Sequence, residues 1–272
     1  MFYYTYKKWI KIWNIEAIYI YLYGGLNTDP QPKIWKMNNY IITTLLIVLS
    51  LKAYGQSTEY KIQVNTGLFK FSGESTEKTE SINYNLDKED GYTNNPYGRK
   101  YGLSYGVSAN MTNITKSNIR LGIDLGYEIL RSRIDINTVW QHSSVINETV
   151  SAKGKTNLNS SFLNLFPSIG YLFSNSFYHL YFDGGIDFGY CLNTEEKGYA
   201  KSESREYETN RVRKTINLDI RPRIQMGIQN NKIGAYVGYS KGLINYKSGF
   251  TGGKNEIYSE MIRFGLTYKL KK

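Results

Sequence analysis

The feature that most restricts this chain is a two-residue alternation of bulky apolar with small or polar side chains, recurring from Gln56 onwards. In YGLSYGVSANM, Tyr101, Leu103, Tyr105, Val107, Ala109 and Met111 share one face, and Gly102, Ser104, Gly106, Ser108 and Asn110 the other. IRLGIDLGYEI sets Ile119, Leu121, Ile123, Leu125, Tyr127 and Ile129 against Arg120, Gly122, Asp124, Gly126 and Glu128. HLYFDGGIDFGY opposes Leu180, Phe182, Ile186, Phe188 and Tyr190 to His179, Asp183, Asp187 and Gly189. LDIRPRIQMGI opposes Leu218, Ile220, Ile224, Met226 and Ile228 to Asp219, Arg221, Arg223 and Gln225. A period of two belongs to strands, whose successive side chains point to opposite faces. The 26 Tyr, 25 Gly and only 5 Pro agree with β-structure.

Eight such segments are predicted, over 59–71, 99–112, 118–131, 158–173, 177–192, 214–229, 232–246 and 257–271. The connections after the second, fourth and sixth are tight (TNITKS, SNS and NNK). The others, near 72–98, 132–157, 193–213 and 247–256, read as long polar loops. An even strand number with alternating short turns and long loops is the pattern of a transmembrane barrel. The fold class expected is all-β, an eight-stranded antiparallel up-and-down transmembrane barrel with short periplasmic turns and long extracellular loops.

The rival is a soluble eight-stranded container, which puts apolar residues inside and polar ones outside. Here the small, polar face carries full charges. Charges turned to lipid cost about 2–4 kcal/mol each at the midplane, so the charged face belongs inside and the bulky face meets lipid. Aromatic placement fits: Tyr60, Tyr171, Phe173, Tyr178 and Tyr268 fall near one rim, and Tyr101, Tyr105, Tyr127 and Tyr190 near the other. Such belts form where amphipathic rings sit at headgroup level.

Residues 37–55 read as an export signal. The apolar run from Ile41 to Leu51 is too short to span a bilayer as a helix and fits a signal core. Ala53-Tyr54-Gly55 supplies small residues for cleavage before Gln56. Residues 1–36 then read as an over-extended N-terminus with translation starting at Met37, with a genuine amphipathic anchor as the alternative, and 56–272 as the barrel. Of the formal net charge of +11, residues 1–36 hold +3 and Lys52 one more, leaving +7. No block of five like charges occurs, so nucleic acid is not expected as a partner. Cys191 is the only cysteine, which excludes an internal disulfide and a cysteine-based zinc site.

FLNLFPSIGYLF (162–173) and YFDGGIDFGY (181–190) resemble the PorT-like outer-membrane β-barrel family. In that family a central strand carries an apolar-x-apolar-x-Pro pattern running to an aromatic end, and the next has inward glycines. Leu163, Leu165, Pro167, Gly170 and Tyr171 match the first, and Gly185, Gly189 and Tyr190 the second. The resemblance implies an outer-membrane location, with members associated with secretion or motility machinery, and no shared catalytic residues. The final strand, MIRFGLTYKLKK, resembles the C-terminal strand that barrel-assembly machinery recognises, although Lys271-Lys272 stands where a terminal aromatic is usual.

Sites are few. His142 in WQHSS lies two residues from Ser144, distantly like barrel lipid A deacylases, but in a segment read as loop. LDKEDGY (86–92) carries Asp87, Glu89 and Asp90 without calcium-loop spacing. The sequons at Asn110, Asn113, Asn147 and Asn159 carry no function in an exported bacterial barrel. No cofactor and no catalytic or metal site is expected. The expected partners are outer-membrane lipid, assembly machinery and envelope proteins. The role expected is non-enzymatic, through extracellular loops or partners, with a small-solute channel or a lipid-modifying enzyme as alternatives. The lumen is expected to hold a charge network of Arg120, Asp124, Glu128, Asp183, Asp187, Asp219, Arg221, Arg223 and Arg263, with Lys61 sharing their parity. Adjacent segments favour Asp183 or Asp187 pairing with Arg221 or Arg223. The inward glycines are expected to make room for the arginine stems.

Overall fold

The computed structural model describes residues 57–174, 177–249 and 255–271. The readings of 1–36 as an over-extended N-terminus and 37–55 as an export signal fall outside the described residues. Those residues form eleven strands and no helix: β1 (Ser57–Ser72), β2 (Thr79–Asn85), β3 (Asp90–Thr93), β4 (Lys100–Ile114), β5 (Ile119–His142), β6 (Asn147–Ser174), β7 (His179–Lys201), β8 (Glu206–Val212), β9 (Leu218–Gln229), β10 (Ile233–Lys241) and β11 (Tyr258–Lys271).

Eight of them close on themselves. β1 pairs β4, and antiparallel pairing continues through β5, β6, β7, β9, β10 and β11 back to β1. Closure leaves this ring without a free edge. The register keeps like parity together around the seam, so that inward Asn65 and Gly67 of β1 stand opposite inward Gly265 and Arg263 of β11. The β4–β5 turn is tight because Asn118 takes a left-handed conformation (φ 61°), which Asn tolerates better than most residues. Thr115 and Ile119 close that turn with a backbone hydrogen bond of 2.9 Å.

Inside and outside follow the alternation. Leu103, Val107, Leu125, Ile186, Ile224, Met226, Phe264 and Leu266 are exposed on the outer wall, while Asp187 and Arg263 are 0% exposed within it. Each of the nine rim aromatics named above points outward and is exposed.

Three of the four long connections are not loops, which corrects the sequence reading. The 132–157 segment continues β5 and β6 as one hairpin that turns only at Ser143–Ile146. The 193–213 segment holds the rest of β7 and all of β8, and 72–98 holds β2 and β3. These stretches look loop-like because their outward face is polar, as in Lys153, Lys155 and Asn157. Their inward face is still apolar: Ile82, Ile134, Ile136, Val139, Ala152, Ala200 and Tyr207 form a second core. A bulge opposite the Ser161–Phe162 step displaces the inward parity of β7 from Cys191 to Thr194 and Glu196, which also hides the pattern.

β2 pairs in parallel with the far half of β5, β3 pairs β2, and β8 pairs the far half of β7. The extension is therefore a sheet ordered β3-β2-β5-β6-β7-β8. Its outer edges, β3 and β8, are joined by side chains rather than by a ladder. Arg205 reaches Glu89 at 3.1 Å and Arg211 reaches Asp90 at 2.6 Å. Buried Glu196 accepts from the Thr93 amide at 2.7 Å and pairs with Arg213. Arg211 and Arg213 also lie over the Tyr92 ring.

Candidate functional site

The lumen is the one place where the fold gathers most of its buried charge, and it is organised in levels. At the turn end, Glu59 pairs with Lys61 at 2.9 Å and with Lys269. A vestibule of ≈210 Å³ opens there, bordered by Glu59, Arg120, His179, Gln229 and Lys269. Above it Arg120 grips Asp183 with two hydrogen bonds, Nε–Oδ1 2.8 Å and Nη2–Oδ2 3.2 Å, with its guanidinium 4.1 Å from the Tyr181 ring centre.

The next level is looser. Asp124 accepts from Asn110 at 2.5 Å, and Arg223 lies 3.9 Å away, stacked 4.2 Å from the Phe166 ring centre. The centre is the densest. Arg263 makes a two-pronged contact with Glu128 (2.7 and 2.9 Å) and also reaches Asp187 at 3.0 Å and Ser240 at 2.6 Å. Arg221 lies 2.9 Å from Asp187, 3.7 Å from Glu128 and 3.9 Å from Asp219. None of these carboxylates is aligned with its N–H groups, so Arg221 is ion-paired without a hydrogen bond. Asp219 accepts from Tyr246 at 2.9 Å and Ser259 at 2.6 Å.

Over this level sits an apolar cap of Phe69, Phe71, Leu130, Leu158, Phe162, Tyr246, Ile257 and Met261. Tyr97 and Tyr246 pack edge-on to Phe71 at 5.1 and 4.9 Å. Burial, then the charge of Asp219, holds the Tyr246 phenol well above the ordinary tyrosine range.

Lys61, Lys269 and four arginines face Glu59, Asp124, Glu128, Asp183, Asp187 and Asp219, so six cations meet six carboxylates. A balanced set needs no counter-ions. Mid-lumen, between Asp124, Glu128, Arg223 and Tyr236, lies a cavity of ≈10 Å³, room for about one water at most.

All nine residues of the sequence-read network line this lumen. Asp187 meets Arg221, whereas Asp183 is taken by Arg120 and not by either β9 arginine, because Arg120 is nearer the turn end with Asp183. The reading missed two inward tyrosines. A side chain on Gly227 would come within 2.3 Å of the Tyr181 ring and one on Gly265 within 2.2 Å of the Tyr236 ring. Those two glycines admit aromatic rings from the neighbouring strand, whereas Gly189 leaves room for the Arg221 guanidinium, which an added side chain there would approach to 3.0 Å. The Gly234-Ala235-Tyr236-Val237-Gly238 run was the available signal, since Tyr236 shares parity with two glycines.

The remaining candidates scatter. His142 ends β5 instead of lying in a loop, and stacks on Trp140 with ring centres 4.9 Å apart. His179 meets Ser174 at 2.9 Å. Asp87 accepts from the Ser144 amide, Glu89 is held by Arg205 just before β8, and Asp90 by Arg211 of β8. Among the described residues no His, Cys, Asp and Glu group is arranged to hold a metal ion.

No family model and no curated protein matches the chain. Among solved structures it is similar to the attachment invasion locus protein Ail of Yersinia pestis, at 12% identity over 79% of this chain and 100% of that one, TM-score 0.32. It is also similar to Neisserial surface protein A (9%, 79% and 100%, TM-score 0.33) and to the outer membrane protein OprG of Pseudomonas aeruginosa (12%, 80% and 99%, TM-score 0.31). Likeness at this level carries no functional argument.

Proposed function

We propose that this chain is a non-enzymatic bacterial outer-membrane β-barrel with a sealed lumen, acting through the extension beyond its loop end. One observation carries the reading: the wall exposes apolar side chains while the lumen buries a charge-neutral ion-pair plug beneath an apolar cap. An exposed apolar belt this continuous needs lipid around it. A lumen whose middle level has room for no more than about one water does not pass solutes. What remains available to a partner is the extension, whose own core and cross-edge ion pairs make it a shaped surface rather than a set of loops. Assembly machinery, and envelope proteins of the kind associated with PorT-like barrels, are the partners this reading implies.

The test uses the full chain refolded into phosphatidylcholine vesicles. It should migrate faster unheated than heated on gels and give no single-channel conductance. Stable conductance steps would overturn the sealed lumen in favour of a small-solute channel.

A further inference from the structure

Only about 9–11 residues of a tilted strand are needed to cross a bilayer. Counted from the turn end, β5 completes that crossing near Ile129, where the outward row Tyr127–Leu163–Tyr190 marks the upper aromatic rim. The outward rows just beyond change character at once. Arg131 stands beside Asn159 and Glu195, Arg133 beside Asn157 and Lys197, and Asp135 beside Lys155 and Tyr199. On the adjoining strand Lys100 faces Arg133.

On β8, Glu208 extends the last row beside Tyr199, so five cations meet three carboxylates on this flank. Asp135 is shared by Lys100 and Arg133, and Glu195 takes Lys197 at 2.9 Å. Among the described residues Arg131 meets the amide oxygen of Asn159, at 2.6 Å, and Lys155 the face of Tyr199, 5.9 Å from its ring centre, and neither has a carboxylate partner. On the opposite flank Lys70 and Lys241 both adjoin Glu260, so the excess there is one cation and both lie beside a carboxylate.

We propose that this face of β5, β6 and β7 binds the phosphate groups of the outer-leaflet glycolipid, holding a shell of that lipid against one flank of the barrel. The inference rests on the outer-membrane reading above. Two features select this occupant: the cationic rows continue the lipid-facing wall without a gap, and their level is that of headgroups. Lys and Arg at an anionic membrane surface each contribute on the order of fivefold in affinity. The amides of Asn157 and Asn159, between the charges, suit the sugar hydroxyls to which such phosphates are attached.

The experiment refolds the full chain into phosphatidylcholine vesicles carrying either a diphosphorylated glycolipid or its dephosphorylated form, then counts lipid retained after detergent extraction by native mass spectrometry. The phosphorylated form should be retained on the order of tenfold more strongly. Arg131→Gln, Lys155→Gln and Lys197→Gln together should bring the two near parity, while Lys70→Gln with Lys241→Gln should not. Equal retention of both lipids by the wild type, or an unaffected triple variant, overturns the proposal. So does equally strong binding of inorganic phosphate to protein in plain phosphatidylcholine, which would assign the face to a soluble anion. If the triple variant does not fold, a salt series on the wild type serves instead. Retention should fall as the screening length shrinks from about 10 Å at 0.1 M to about 3 Å at 1 M, and salt-independent retention overturns it. A wild type that inserts into neither vesicle, seen as unchanged gel mobility, overturns the outer-membrane reading and this inference with it.

Discussion

Asp187→Asn is the most informative change in the lumen. Asp187 is 0% exposed and accepts from Arg263 at 3.0 Å while lying 2.9 Å from Arg221. Its two partners do not depend on it equally. Arg263 keeps its two-pronged contact with Glu128, but Arg221 retains only Glu128 and Asp219, at 3.7 and 3.9 Å and without a hydrogen bond. Neutralising Asp187 thus leaves Arg221, 1% exposed, as an excess buried cation. Breaking a buried pair from one side costs about 3–5 kcal/mol, and that loss is expected in urea unfolding of the refolded barrel. Adding Arg221→Met restores neutrality, so the double variant should recover at least about 1.5 kcal/mol relative to the sum of the singles. Asp183→Asn with Arg221→Met should be additive, because Asp183 belongs to Arg120. A loss below about 1 kcal/mol for Asp187→Asn, with no coupling to Arg221, would mean that water screens the centre and that the plug is not dry.

Ile186→Arg places a charge on the exposed apolar wall and should cost about 2–4 kcal/mol in lipid, read as failed insertion; Gly122→Ala on the inner face should insert better than Ile186→Arg, and the reverse order would invert the faces. Gly265→Ala drives a methyl into the Tyr236 ring and should slow or block folding, and Tyr236→Ala in the same chain should restore it on the gel-shift assay. Arg205→Gln with Arg211→Gln removes two exposed ion pairs, Arg205–Glu89 beside the ends of β8 and β3 and Arg211–Asp90 between them, each worth roughly 0–1 kcal/mol. Hydrogen exchange should therefore rise along β3 and β8, with β9, β10 and β11 unchanged.

The barrel was legible in the sequence because lipid outside and a packed polar lumen inside force a strict two-residue period. Wherever both conditions hold, as in Ile119–Ile129 or Leu218–Ile228, strand and face can be read from the alternation alone. Beyond the rim the outer condition lapses: outward positions leave the hydrocarbon, so Lys153, Lys155 and Lys197 look like loop residues although Ala152, Ala200 and Ile136 keep the inward face apolar. Pairing partners are harder still. Asp183 and Arg223 share parity, but strand tilt and register set them at different levels, and register is fixed by contacts between distant segments. Tyr181 and Tyr236 are inward aromatics whose acceptance depends on a glycine across the ladder, a relation that exists only once strands are paired.

The extension follows from the same energetics as the plug. β6 runs for 28 residues, about 90 Å of extended chain, and no more than about 11 of those residues are needed to cross lipid. Because β5, β6 and β7 leave the membrane as paired strands, the upper core is built on the barrel wall without a hinge, and its orientation is set by the same hydrogen-bond ladders that close the barrel. The lumen then has to be rigid for the extension to be rigid. An open, hydrated pore would let the wall deform, whereas Arg120–Asp183 (β5 to β7), Arg223–Asp124 (β9 to β5) and Arg263–Glu128 (β11 to β5) tie strands that are not neighbours in the ring. Weakening the plug should therefore loosen the extension as well. Asp187→Asn is expected to raise hydrogen exchange at Ile134, Val139 and Ala200, beyond the cap from the altered residue. Unchanged exchange there would show that the extension is held by its own core alone.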